Sequence, residues 1–157
     1  MTIVGCTGHQ NIPVGATDFI VGGIADSLRH TPSPIIGATS LAAGADQMFA
    51  DLVLRAGGTL HVVIPCQNYE DTFDDAARNR FESFVDRAET VETLEFLEPS
   101  DGAFLAAGKR VADLCSLLVA IWDGRPAKGL GGTADIVSYA LESRREVIVI
   151  WPDGVAR

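Results

Sequence analysis

The chain has 157 residues, of which 47% are hydrophobic and 21% charged, with a formal net charge of −9. This fits one globular domain with a sizeable core and excludes a disordered or fibrous chain. No apolar run reaches the length of a membrane span, and a pI of about 4.6 argues against a nucleic-acid surface, so neither membrane nor nucleic acid is expected as a partner. The acid is concentrated between Glu70 and Asp101, where eleven acids face three arginines, so an anionic small ligand stays compatible with the rest of the chain. The start, MTIVGCTG, lacks the basic and apolar regions of a signal peptide, and the protein reads as cytoplasmic. Cys6, Cys66 and Cys115 are odd in number and form no CxxC pair, while His9, His30 and His61 are scattered. A disulfide framework and a metal site are therefore not expected, and the thiols read as buried.

Ile3 to Cys6 predicts a first strand, and Thr7-Gly8-His9-Gln10-Asn11 falls where the first strand-to-helix loop would sit. Phe19, Ile20, Gly23, Ile24 and Leu28 then recur at helical spacing. Pro32 and Pro34 break that helix, and Ile35 to Thr39 is a second strand. Ser40 to Asp46 follows, then a helical stripe of Ala45, Met48, Phe49, Leu52, Val53 and Ala56 that stops at Gly57-Gly58. Gly44 serves either close backbone approach to a ligand or helix–strand packing, and Asp46 in the first turn also favours the helix dipole.

Leu60 to Pro65 is a third strand; His61 near its start reads as structural, since the ligand face lies at the other end. Glu70 to Ala88 predicts one acidic amphipathic helix with Phe73, Ala77, Phe81 and Phe84 inward. TVETLEF alternates as a strand near a sheet edge, and Phe104 to Cys115 is helical with Lys109 and Arg110 in it. Leu117 to Trp122 is a strand covered on both faces, ended by Asp123-Gly124. Gly129, Gly131 and Gly132 then lead into Thr133, whose hydroxyl can cap a helix carrying Ile136, Val137, Ala140 and Leu141 inward. A strand feeding glycines into a helix N-terminus is an anion site, because unpaired N–H groups and the dipole both favour negative charge. Glu146 to Trp151 closes the sheet as a buried strand.

The alternation of strands and helices predicts a single α/β domain over 1–157. It is a Rossmann-like three-layer α/β/α arrangement with a doubly wound, mainly parallel sheet of about six strands. Loops at the carboxyl ends of such strands converge on the ligand site. The candidate ligand-binding residues are Gly8, His9, Ser40, Gly44, Asp46, Asp123, Gly129, Gly131, Gly132 and Thr133.

TGHQ after the first strand, SLAAGAD after the second, and LLVAIWDG…GLGGTADIV together resemble the SLOG superfamily. That group includes the cytokinin-activating phosphoribohydrolases, known as "lonely guy" or lysine-decarboxylase-like enzymes, and the DNA-processing protein A fold. The resemblance implies a nucleotide or nucleotide-derived ligand on the glycine loops and a homodimer, with no further cofactor required. The hydrolase branch carries PGGxGTxxE with a catalytic glutamate. Here Gly132-Thr133 matches its GT, but Ile136 occupies the glutamate position. Asp135 stands one residue earlier, roughly 100° around the helix. Lys109-Arg110 is an approximate, out-of-register echo of the branch's Arg-Lys pair.

Two functions follow. A nucleotide-binding sensor or carrier needs only backbone donors and a few polar contacts. A nucleoside-monophosphate phosphoribohydrolase needs a carboxylate beside the ribose, for which Asp135 is the catalytic candidate, with Asp46 and Asp123 behind it. Single-stranded nucleic-acid binding needs a basic groove, which the acidic composition speaks against. No acidic residue follows a GxGxxG at dinucleotide spacing, so NAD is not indicated.

Overall fold

The computed structural model describes residues 1–127 and 132–157. The strands are β1 (Thr2–Gly8), β2 (Ile35–Thr39), β3 (Thr59–Cys66), β4 (Thr90–Phe96), β5 (Leu117–Ile121) and β6 (Glu146–Val149). The helices are α1 (Thr17–Arg29), α2 (Ala45–Arg55), α3 (Asp75–Arg87), α4 (Asp101–Leu114) and α5 (Thr133–Glu142). All strand pairs are parallel, and the sheet order is β4-β3-β2-β1-β5-β6. The chain thus winds outward from β1 through β2, β3 and β4, then returns to place β5 on the other side of β1. The reversal between β1 and β5 opens a crevice at their carboxyl ends.

Adjacent residues on one strand feed opposite cores, as the period of two demands. Val62 and Val119 join Ile20, Phe49, Val53 and Phe81 of α1, α2 and α3. Val63 and Leu118 join Ala107, Val111, Ile136 and Ala140 of α4 and α5. All three cysteines are buried and unpaired. No helix among the described residues is long and apolar enough to cross a membrane.

Two predicted elements differ. Glu70 to Ala88 is not one helix. A 3-10 turn (Tyr69–Thr72) comes first, Phe73 is extended, and α3 starts afresh where the Asp74 side chain accepts from the Ala77 N–H at 2.8 Å. Asp74 favours a cap over a helix interior, so it divides the segment. β6 lies at the sheet edge and is only partly covered, with Val149 50% exposed. Its apolar run has no further strand to lie against. β4 takes the opposite edge, as its alternation predicted.

Candidate functional site

A cleft of about 940 Å³ runs along the carboxyl ends of the strands. It brings together Gly8 and His9 after β1, Ser40 and Asp46 after β2, and Gly132 and Thr133 at the start of α5. Gly129 and Gly131 lie outside the described residues. Gly44, Asp123 and Asp135 do not line the cleft.

His9 joins the two halves of the sheet. Its N–H donates to the Ile121 carbonyl at 3.1 Å, and its own carbonyl accepts from Ala45 N–H at 3.1 Å. Its ring is nearly buried, with Trp151 edge-on at 5.3 Å. Nε2 lies 3.3 Å from Asp123 Oδ1, and Arg157 Nη1 approaches Nδ1 at 3.3 Å. The Asp123 backbone N–H donates to the same Nε2 at 3.2 Å, so this ring nitrogen meets both a donor and a carboxylate oxygen of Asp123. Burial, then Arg157, lowers the His9 pKa against the opposing pull of Asp123. Burial works against the Asp123 carboxylate, yet the Arg125 N–H at 3.0 Å, Arg157 and His9 hold its pKa below the ordinary range. Arg157 Nε stands 3.3 Å from Asp123 Oδ2 as an ion pair, off the angle of a hydrogen bond. Asp123 faces a smaller recess of about 410 Å³ beside Trp122 and Trp151. It therefore meets the cleft only through His9 and Arg157.

The loop after β2 is held in a strained path. Leu41 is fully buried at φ 57°, its N–H donating to Thr39 Oγ1 at 3.0 Å and its carbonyl accepting from Gln47 Nε2 at 3.2 Å. A non-glycine residue in this region costs about 1–3 kcal/mol, which the surrounding bonds must offset. Gly44 caps α2 at φ 82°, and a Cβ there would lie 2.1 Å from the Gln10 carbonyl oxygen. Its lack of a side chain serves this loop-to-loop packing.

The same path delivers Asp46, only 6% exposed, to the cleft wall. Its Oδ2 accepts from Ala42 N–H at 3.3 Å, while buried Oδ1 has no hydrogen-bond partner. The Cys6 thiol acts on the carboxyl, and its Sγ also lies 3.8 Å from the Thr7 carbonyl oxygen. Burial pushes the Asp46 pKa up to about 7, outweighing the nearby donors. Burial likewise raises the Cys6 thiol and the Tyr69 phenol, and Asp46 adds to both shifts.

At α5 the cap is Gly132, with no side-chain bond to the helix end, so Thr133 is the first helical residue and its hydroxyl is not the cap. Gly132's carbonyl accepts from Asp135 and Ile136 N–H at 3.1 and 3.4 Å. Ile136, at the position of the hydrolase glutamate, lines the cleft and packs on α4, where a Cβ at Gly108 would meet it at 2.4 Å. The Lys109-Arg110 pair is engaged elsewhere. Arg110 grips Glu92 through Nε and Nη2 at 2.6 and 3.2 Å, and Lys109 sits 5.2 Å over Tyr139. His61 bonds the same Glu92 at 2.8 Å, a structural role as its position predicted.

Two features of the cleft have no signature in the sequence. Arg157 is the one Arg or Lys among the described residues that line it. No motif surrounds Arg157, so nothing in the local pattern points to it. Tyr69, Phe73 and Phe104 form an aromatic side wall, with Tyr69 at 5.0 Å from Phe73 and 6.1 Å from Phe104. Helical periodicity marks two of these rings only as core.

No protein-family model and no curated protein matches the sequence. Solved structures do. DNA processing protein A from Streptococcus pneumoniae superposes with a TM-score of 0.63 at 19% identity, over 94% of this chain and 50% of that one. DNA processing protein A from Helicobacter pylori, described for its single-stranded DNA binding mode, gives 0.69 at 14% identity, over 94% and 64%. TM1055, a structural-genomics target, gives 0.58 at 15% identity, over 94% and 72%. The chain thus spans half to two-thirds of the length of the two DNA processing proteins. The Rossmann-like fold that the alternation of strands and helices predicts is thus shared with these structures. The exclusion of nucleic acid is corrected by the same finding: a protein with this fold is described as binding single-stranded DNA. Net charge failed as a criterion because most of the acid lies in one segment, and whole-chain charge does not report the potential of one groove.

Proposed function

We propose that the protein binds a nucleotide or nucleotide derivative in the cleft at the β1/β5 reversal, acting as a sensor or carrier. The observation that carries this reading is the cleft itself, which joins the N-terminus of α5, one arginine, a buried carboxyl and an aromatic wall. A phosphate takes the α5 end, where Thr133 is the first helical residue, with Arg157 the one Arg or Lys among the described residues that line the cleft. The candidates Gly129 and Gly131 lie outside the described residues. Binding is favoured over N-glycosidic hydrolysis because Ile136 lines the cleft where a catalytic glutamate would stand and Asp135 does not line it.

A second reading, a nucleotide held as part of a single strand, is supported by the H. pylori likeness and by the aromatic wall, since bases stack on such rings. A thermal-shift series with nucleoside monophosphates, nucleotide sugars and a short oligodeoxynucleotide tests both. A ligand at about one hundred times its dissociation constant adds roughly 2.7 kcal/mol to stability. Stabilisation by monomers supports the first reading, and stabilisation by the oligomer alone transfers the site to the second. Melting curves unchanged by every ligand overturn both.

A further inference from the structure

Asp46 presents a feature that fold stability does not account for. A buried carboxyl normally has both oxygens satisfied, because an unpaired polar atom away from water is costly. Here Oδ2 takes the Ala42 N–H and Oδ1 takes nothing, although the side chain lines the cleft. The groups packed around it offer little. The Cys6 thiol on β1, the Thr39 hydroxyl on β2 and the Ser40 N–H act on the carboxyl, but none reaches hydrogen-bond distance of Oδ1, and Tyr69 after β3 stands near enough for Asp46 to act on its phenol. Tyr69 also belongs to the aromatic wall, so the unsatisfied oxygen and a cluster of aromatic rings share one region of the cleft.

A planar heterocycle with an N–H on its rim fits this pair of features. Its faces meet the rings and its rim donor meets the oxygen. We propose that Asp46 is the base-reading residue of the cleft, its Oδ1 accepting an N–H from the exocyclic amine of a base seated against Tyr69, Phe73 and Phe104. The inference rests on the nucleotide reading above and adds the ligand's orientation: amine-bearing edge toward α2, phosphate toward α5.

The charge state makes the assignment testable. The carboxyl titrates at about 7, and its titratable neighbours, Cys6 and Tyr69, are both pushed upward and stay neutral near that pH. An N–H donor prefers the ionised carboxylate, so an amine-bearing base binds tighter as the pH rises through 7. A base whose rim offers only an acceptor nitrogen prefers the protonated acid and follows the opposite trend. AMP and purine riboside 5′-monophosphate differ only in that amine, so the titration of their phosphates cancels in the ratio of their dissociation constants.

The experiment measures both constants by calorimetry at pH 6 and pH 8, on the parent protein and on Asp46→Asn. We expect the preference for AMP to grow by about tenfold from pH 6 to pH 8 in the parent, the scale of a hydrogen bond that gains charge. The growth should vanish in Asp46→Asn, which cannot ionise. A parent preference that is equal at both pH values overturns the assignment without any variant, as does a pH-dependent preference that survives in Asp46→Asn. Binding of both ligands with a flat ratio leaves the nucleotide reading standing and removes only this inference. Binding of neither removes both.

Discussion

Asp46→Asn also makes a prediction about the unliganded protein, with the sign fixed by proton linkage. The carboxyl titrates at about 7 in the fold against an ordinary value of 3.8, because burial disfavours its charged form. Below pH 3.8 it is neutral in both folded and unfolded chains, so its burial as an acid has its full stabilising weight. As the pH rises from about 4 to 7 the unfolded chain sheds the proton and the folded chain retains it, and that stability drains away. The gap between the two titrations corresponds to about 4 kcal/mol. The group is nearly fully buried, so little of this is lost to solvent screening. Asparagine keeps the shape and an acceptor for the Ala42 N–H but carries no charge. Urea melts of parent and variant from pH 4 to pH 8 should therefore show a difference that starts small and grows to roughly 3–4 kcal/mol in favour of the variant. At pH 8 that is about 10 °C in Tm for a chain of this size. Such a gain would accompany a changed ligand response, the pattern of a residue kept for function at a cost in stability. A stability difference that does not change with pH, or a variant less stable than the parent at pH 8, would refute the reasoning.

Gly44→Ala should destabilise by about 2–4 kcal/mol, because a positive φ is combined with a 2.1 Å collision with the Gln10 carbonyl oxygen. Gly57→Ala, at φ 83° with open space around it, should lose only about 1 kcal/mol, and equal losses in the two melts would show that the collision relaxes freely. Imidazole resonances followed by NMR should place the His9 titration higher in Arg157→Ala and lower in Asp123→Asn, since Arg157 depresses that pKa and Asp123 raises it. Shifts of the opposite sign would mean that the contacts at the β1/β5 crevice are not formed in solution.

The backbone plan was legible because it rests on local periodicity. Leu117 to Ile121 is apolar on every residue, which only a strand covered on both faces requires, while TVETLEF alternates and lies at the edge. Ile35–Thr39 and the α2 stripe were bounded by prolines and glycines that act within a few residues. Glycine loops at strand ends also marked the edge of the sheet that carries the cleft, since a parallel sheet places all its strand-to-helix loops on one side. What local pattern cannot contain is the meeting of distant residues. His9 is 114 positions from Asp123 and 148 from Arg157, and their contacts exist only because β5 returns beside β1. The acid at Asp46 reads as an ordinary first-turn residue until β1 and the Tyr69 turn close over it and leave one oxygen unsatisfied. Sequence determined the layers and the edge where a ligand would lie, because hydrophobic period and turn chemistry are local properties. Tertiary structure alone decided which carboxyl faces the cleft, which arginine enters it and which rings form its wall, because burial, charge and contact depend on what the rest of the chain brings near.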